Sequence, residues 1–183
     1  MVKYKNARGI LMDLKSFISI VPDFPKEGIS FKDITTLLQN GDALKYAVDQ
    51  FAHMAKDLQI DIILGPEARG FIFGTAVAYA LGAGFVPLRK AGKLPRETIS
   101  ESYSLEYGKN SLEIHHDAIQ KGQRVLIVDD LLATGGTLNT SINLVERLQG
   151  TVEGVFTLIE LMDLNGRENL KGYNVQSLIT YPY

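Results

Sequence analysis

The chain has 183 residues, 45% of them hydrophobic and 22% charged, with a formal net charge of −2. That length suits one domain with a substantial core, and the near-neutral balance offers no general basic surface for nucleic acid. The absence of cysteine excludes a disulfide scaffold, thiolate chemistry and a cysteine-held metal, and accords with a reducing cytosol.

In chain order, the N-terminal stretch lacks the long apolar core and small-residue cleavage site of a secretory signal. Ala7, Leu11, Leu14 and Ile18 form a helical stripe that Pro22 and Pro25 stop. A short strand is predicted near Ser30 to Lys32. Asp42 is the expected N-cap of a helix carrying Leu44, Ala47, Val48, Phe51, Ala55 and Leu58 on one face. "IDIILG" reads as a short aliphatic strand, followed by a helix from about Gly70 to Leu81. Residues 71–88 carry no charge, but Gly82-Ala83-Gly84 and Pro87 interrupt them. They read as helix, turn and buried strand rather than a membrane span. "FVPL" is the next strand. "RKAGKLPRETISESY" is polar and reads as a long loop, and "SLEIHHDAI" as an exposed strand. "RVLIVDD" is a buried strand, ahead of a helix with Leu138, Ile142, Val145 and Leu148 on one face. "TVEGVFTLIEL" and "NVQSLITY" complete the strands.

Strands and helices alternate, and the aliphatic runs are continuous, as in strands covered on both faces. The predicted class is therefore α/β, a mainly parallel twisted sheet flanked by helices. Ligands in such sheets sit beyond the carboxyl ends of the strands. The loops after Leu64, Leu88 and Asp130 are expected to share that edge.

"VLIVDDLLATGGT" carries the strongest chemical signal. Thr134, Gly135, Gly136 and Thr137 lie between a strand and a helix. Glycines there admit close approach of N–H groups to an anion, and the helix start and hydroxyls add donors. A phosphate fits. A plain turn with a threonine cap is the alternative. The loop has neither the lysine of a Walker A motif nor the GxGxxG spacing. Asp129 and Asp130 can serve one ligand together only if the strand ends at them. At ~6 Å and an effective dielectric of ~20 they repel by about 3 kcal/mol. Mg²⁺, ligand hydroxyls or a cationic substrate could offset this; alternatively one acid caps a helix and the other is solvated. Together, acids and turn describe a sugar phosphate across a strand end.

Three further segments stay open on residues alone. Arg69, in "PEARGF", either meets a second anion or pairs with Glu67. Arg89, Lys90, Lys93 and Arg96 form either a solvated basic loop or an anion site. Glu106, in "SYSLEYG", is either an exposed strand residue or an acid/base that a closing lid desolvates. His53, His115 and His116 lack the i, i+4 spacing of a helical metal site.

"VLIVDDLLATGGT" resembles the phosphoribosyl-pyrophosphate signature of the type I phosphoribosyltransferase family. With it, GISFKDIT, PEARGF, RKAGKLPRETI and YSLEYG resemble, in order, the family's adenine phosphoribosyltransferases over nearly the whole chain. The resemblance implies one domain over 1–183, with an N-terminal hood to about residue 33 and a flexible catalytic loop over about 91–107. It implies transfer of phosphoribosyl from phosphoribosyl pyrophosphate to adenine, giving AMP and pyrophosphate, with Mg²⁺, in a cytoplasmic homodimer that needs neither nucleic acid nor membrane. Asp129 and Asp130 would hold the ribose hydroxyls, with Mg²⁺ near them through substrate and water. Ala133, Thr134, Gly135, Gly136 and Thr137 would bind the 5′-phosphate. Arg69, Lys90 and Lys93 would address pyrophosphate. Glu106 would assist proton transfer at the purine. Phe31 would stack on adenine, the backbones of Ser30 and Lys32 would read its edge, and Leu161 would cover its other face. The family pattern has Arg where Lys32 stands, which puts a side-chain role there in doubt. A relative using another purine, or a regulator that senses phosphoribosyl pyrophosphate, are the other readings.

Overall fold

The computed structural model describes residues 12–105 and 108–182. Leu14–Phe17 forms a 3-10 turn whose Asp13 cap accepts from the Lys15 N–H. In the described part of the helix expected over Ala7 to Ile18, Leu14–Phe17 form only this turn, and a strand follows from Ser19; Ala7 and Leu11 lie outside the described residues. Strands β1 (Ser19–Val21) and β2 (Phe31–Asp33) pair antiparallel as a separate two-stranded sheet. Helix α1 (Thr35–Gln39) leads into α2 (Gly41–Ala55). The cap of α2 is Asn40, not Asp42: the Asn40 side chain accepts from the Ala43 N–H, and Asp42 sits inside the first turn. Asp42 still carries a negative charge where the helix dipole favours one.

The main unit runs β3 (Ile62–Pro66), α3 (Gly70–Leu81), β4 (Gly84–Lys90), β5 (Thr98–Leu105), β6 (Gly108–His115), β7 (Arg124–Leu132), α4 (Gly136–Arg147), β8 (Thr151–Leu161) and β9 (Val175–Tyr181). Seven strands form one sheet in the order β5-β6-β4-β3-β7-β8-β9. The five from β4 to β9 in that order are mutually parallel. Strands β5 and β6 are antiparallel additions at one edge.

The continuous aliphatic runs have the expected cause. Along β7, Leu126 and Val128 join the core under α2 and α3, whereas Val125 and Ile127 join the core under α4. Period-two alternation thus feeds two hydrophobic layers at once. Phe51 of α2 meets Phe73 of α3 edge-to-face at 6.0 Å on the first side. Leu138, Ile142 and Val145 of α4 pack on the second.

Two boundaries differ from expectation. The polar stretch predicted as a long loop is a strand from Thr98, because β6 supplies a ladder from Thr98↔His115 to Leu105↔Gly108. Glu101 anchors this hairpin: it accepts from Asn143 Nδ2 at 2.8 Å and pairs with Arg147 at 3.0 Å, both on α4. Second, β7 does not stop at Asp130. Leu131 and Leu132 stay paired with Ile159 and Glu160 of β8.

Candidate functional site

Asp129 and Asp130 lie inside β7, 8% and 5% exposed. They do not splay around a strand end. Their repulsion is met locally. The Asp130 N–H donates to Asp129 Oδ1 at 2.8 Å, and Arg69 Nε lies 2.7 Å from Asp130 Oδ2. Burial nonetheless dominates and pushes both carboxyls up, Asp129 well above the ordinary aspartate value; the Asp130 charge adds to that, and Arg69 opposes it. The pair is starved of positive charge and of donors, which suits it to sugar hydroxyls or a cation.

Arg69 reaches Asp130 because α3 sits close to the sheet. A Cβ on Gly65 or on Gly74 would lie 2.8 Å from Phe85 Cε2, and one on Gly70 would lie 2.9 Å from Asp129 Oδ1. Only hydrogen fits at these three positions, so the start of α3 rests against β7. The pairing of Arg69 with Glu67 does not form. Glu67 instead accepts from the Lys90 N–H at 3.0 Å and Arg89 Nε at 3.2 Å. The Lys90 N–H is the main reason its carboxyl stays below the usual range, with Arg89 and the charge of Lys93 acting the same way.

The turn after β7 supplies the opposite polarity. Gly135 adopts φ +84°, a left-handed conformation that glycine accommodates freely. Helix α4 starts at Gly136 with no side-chain cap, so the alternative of a threonine cap does not hold. Its first turn presents N–H groups and a positive dipole end to an incoming anion.

One cavity of about 350 Å³ joins these parts. Glu67, Ala68, Arg69, Asp129, Asp130 and every residue from Ala133 to Thr137 line it, with Leu131 and Leu138. Of the three loops expected to share this edge, those after Leu64 and Asp130 line the cavity, and the one after Leu88 reaches it only through the Lys90 N–H on Glu67. Lys90 and Lys93 are not in the lining; they belong to the adjoining loop that Glu67 ties down.

A second recess, about 260 Å³, is bounded by Val21, Phe24, Phe31 and Asp33. Phe24 and Phe31 meet edge-to-face at 5.2 Å. The Arg69 guanidinium carbon lies 5.5 Å from the Phe31 ring centroid, so Arg69 bridges the aromatic recess and the acid pair. Lys32 folds back: its Nζ donates to the Ser30 carbonyl at 2.9 Å and hydroxyl at 2.7 Å, and lies 5.3 Å over the Tyr181 ring. Leu161 is buried at the end of β8 and lines neither recess. Glu106 lies outside the described residues.

Sequence reasoning missed Glu67 as a cavity residue, although its place directly after an aliphatic strand was a usable sign. It also missed the segment behind the turn, where Asn169 Nδ2 donates to the Thr134 carbonyl at 2.7 Å. No residue pattern marks that contact. Among the described residues no cluster of three or more histidines and acids could cage a metal. Two carboxylates beside an uncapped helix start are a donor set that suits Mg²⁺, which keeps several waters. No helix of the described residues is long and apolar enough to cross a membrane.

Residues 32–179 match the phosphoribosyl transferase domain family. The chain is 61% identical to an adenine phosphoribosyltransferase of Clostridium novyi (strain NT) over 170 residues, 93% of this chain and 99% of that one. Among solved structures, an adenine phosphoribosyltransferase from Thermoanaerobacter pseudethanolicus superposes with a TM-score of 0.90 at 54% identity, covering 92% of this chain and 98% of that one. The Saccharomyces cerevisiae enzyme, complexed with D-2,5-dideoxy-2,5-imino-altritol 1,6-bisphosphate and adenine, gives 0.86 at 41% identity, covering 90% and 96%.

Proposed function

The chain belongs to the phosphoribosyltransferase family, in its adenine phosphoribosyltransferase branch, and on that premise we propose how its residues move phosphoribosyl from phosphoribosyl pyrophosphate to adenine, releasing AMP and pyrophosphate. The observation that carries this reading is the single cavity in which the buried carboxylate pair faces an uncapped glycine turn. A ribose 5-phosphate fits that polarity: hydroxyls on Asp129 and Asp130, phosphate on Ala133 to Thr137.

The anomeric carbon loses its bond to the pyrophosphate oxygen, which keeps the electron pair. N9 of adenine supplies the new pair and sheds its proton. As the ring gains positive charge, Asp129 and Asp130 stabilise it, and fixed charges in a water-poor site act strongly. Arg69 is 40% exposed, paired with Asp130 and set over the Phe31 ring, and from that exposed position it can turn toward the departing anion. Lys90 and Lys93 extend the same positive edge. Asp129 and Asp130 would help hold Mg²⁺ beside the substrate, and when bound it would supply charge neutralisation. Glu106 takes the proton role at the purine. Phe31 stacks on adenine, Ser30 and Lys32 offer backbone groups to its edge, and Leu161 backs the pocket from the core.

The enzyme works as a cytoplasmic homodimer. What supports the dimer is α3: its outward face carries Ile72, 40% exposed, and Tyr79, 90% exposed, with Thr75, Ala76 and Ala80 and no charge. A helix apolar on all sides is ordinarily covered. A chain without cysteine suits a reducing compartment.

Incubation with Mg²⁺, phosphoribosyl pyrophosphate and each purine base in turn tests the reading. Adenine is expected to yield AMP. Nucleotide formed only from hypoxanthine, guanine or xanthine overturns the base assignment, and no nucleotide from any base overturns the reaction.

A further inference from the structure

We infer that the 3-10 segment Gly166–Leu170 is the rear wall of the phosphate turn, with Gly166 and Asn169 as positioning residues; this rests on the 5′-phosphate role proposed for that turn. The Thr134 carbonyl accepts from Asn169 Nδ2 at 2.7 Å. A Cβ on Gly166 would overlap the Ala133 carbonyl oxygen, and one on Gly135 would lie 2.5 Å from the Gly166 carbonyl oxygen. Two successive carbonyls of the turn are thus held against the segment. In a planar trans peptide the C=O and the following N–H point in opposite directions. Tying back the carbonyls of Ala133 and Thr134 therefore aims the N–H groups of Thr134 and Gly135 forward, into the cavity those residues line.

The wall is itself anchored. Arg167 grips both oxygens of Glu160 at 2.6 and 2.7 Å and donates to the Val175 carbonyl at 2.8 Å. Leu170 is 1% exposed. A turn of two glycines and two threonines has little rigidity of its own, since glycine leaves many backbone states open. The segment removes those states before phosphate arrives, which is preorganisation.

The test separates phosphate recognition from general integrity by comparing AMP with adenosine, which lacks only the phosphate. Calorimetric affinities are measured for both ligands on the wild type, Asn169→Ala, Asn169→Asp and Gly166→Ala. Asn169→Ala removes one hydrogen bond and is expected to weaken AMP about three- to tenfold with adenosine unchanged. Asn169→Asp sets an acceptor against the carbonyl and weakens AMP at least as much. Gly166→Ala pushes the turn forward and costs more than tenfold. In turnover, KM for phosphoribosyl pyrophosphate rises by the same factor while kcat at saturation holds. Asn169 is exposed, so its variants carry the test even where Gly166→Ala fails to fold. Unchanged AMP affinity in Asn169→Ala, or equal losses for AMP and adenosine, overturns the inference. Equal binding of AMP and adenosine by the wild type is a different result: it overturns the phosphate assignment, and the inference with it.

Discussion

Asp130 on β7 and Glu160 on the neighbouring β8 are 5% and 7% exposed, and each meets an arginine. Arg69 is 40% and Arg167 49% exposed. Exposed surface and partner are nearly matched, but Asp130 lies under a much thicker layer of protein than Glu160, and the two carboxyls shift in opposite directions. Glu160 is held below its usual value, first by the two-pronged Arg167 contact and then by Ser177 against a smaller cost of burial. Asp130 is pushed up, because burial outweighs the Arg69 charge and the hydrogen bond with Asp129, both of which pull it down. The difference separates a joint from a socket. Glu160–Arg167 is satisfied within the chain and fixes the wall behind the turn, whereas the aspartate pair is left short of partners that a ligand can provide.

The largest effect expected of breaking this contrast is on turnover. Asp129→Asn removes one negative charge but keeps an oxygen able to accept the Asp130 N–H. It should lower kcat on the order of 10²- to 10³-fold. At pH 7 the variant should melt no lower than the wild type, since the charge it deletes is disfavoured by burial. A melting point well below wild type would mean that the acids hold the fold together. Next in size, Glu160→Ala leaves Arg167 without its acid and should cost on the order of 2 kcal/mol, less than for a fully buried pair because the arginine is half in water. Denaturant titration measures it; a change below about 0.5 kcal/mol would place Glu160 with ordinary surface ion pairs.

Acidity sharpens the same contrast. Asp129 binds its proton more tightly in the fold than in the unfolded chain. Its effect on stability is therefore most favourable below the unfolded value of 3.8 and is lost as pH rises through the raised folded value. Glu160 runs the other way: its contribution is full above the unfolded value of 4.5 and is lost as pH falls through the depressed folded value. Melting curves of wild type and Asp129→Asn across pH 3 to 8 should diverge as pH rises, with the variant ahead. Parallel curves would remove Asp129 from the account. The smallest expected effect is at Ser177→Ala, which removes the 2.9 Å partner of Thr157 Oγ1 and one of the groups that hold the Glu160 carboxyl down, and should cost about 1 kcal/mol with kcat unaltered.

Much of the fold was legible because aliphatic runs, turn residues and helical stripes agreed with one another. Helix α3 fell on its predicted bounds, and the turn predicted over Thr134 to Thr137 lies where β7 gives way to α4. The missed features depend on partners far along the chain. Strand β5 has a sequence fit for a loop and becomes a strand only against β6. Strand β7 outruns its acids because Ile159 and Glu160 of β8 extend the ladder. The choice of Asp130 over Glu67 by Arg69 is decided 61 residues away, in the space of the folded sheet. Asn40 precedes Asp42 by two positions, and either is a good cap; geometry alone selects the first.

The three missing side chains at Gly65, Gly70 and Gly74 have a consequence for how this chain can vary. They act as a spacer of zero thickness between α3 and the sheet. A methyl at Gly65 or Gly74 would meet the Phe85 ring, and one at Gly70, the residue after Arg69, would meet Pro66 and the Asp129 carboxyl. On the pyrophosphate role proposed for Arg69, the diphosphate end of the donor would be met by a side chain whose place depends on carbon atoms that are not there.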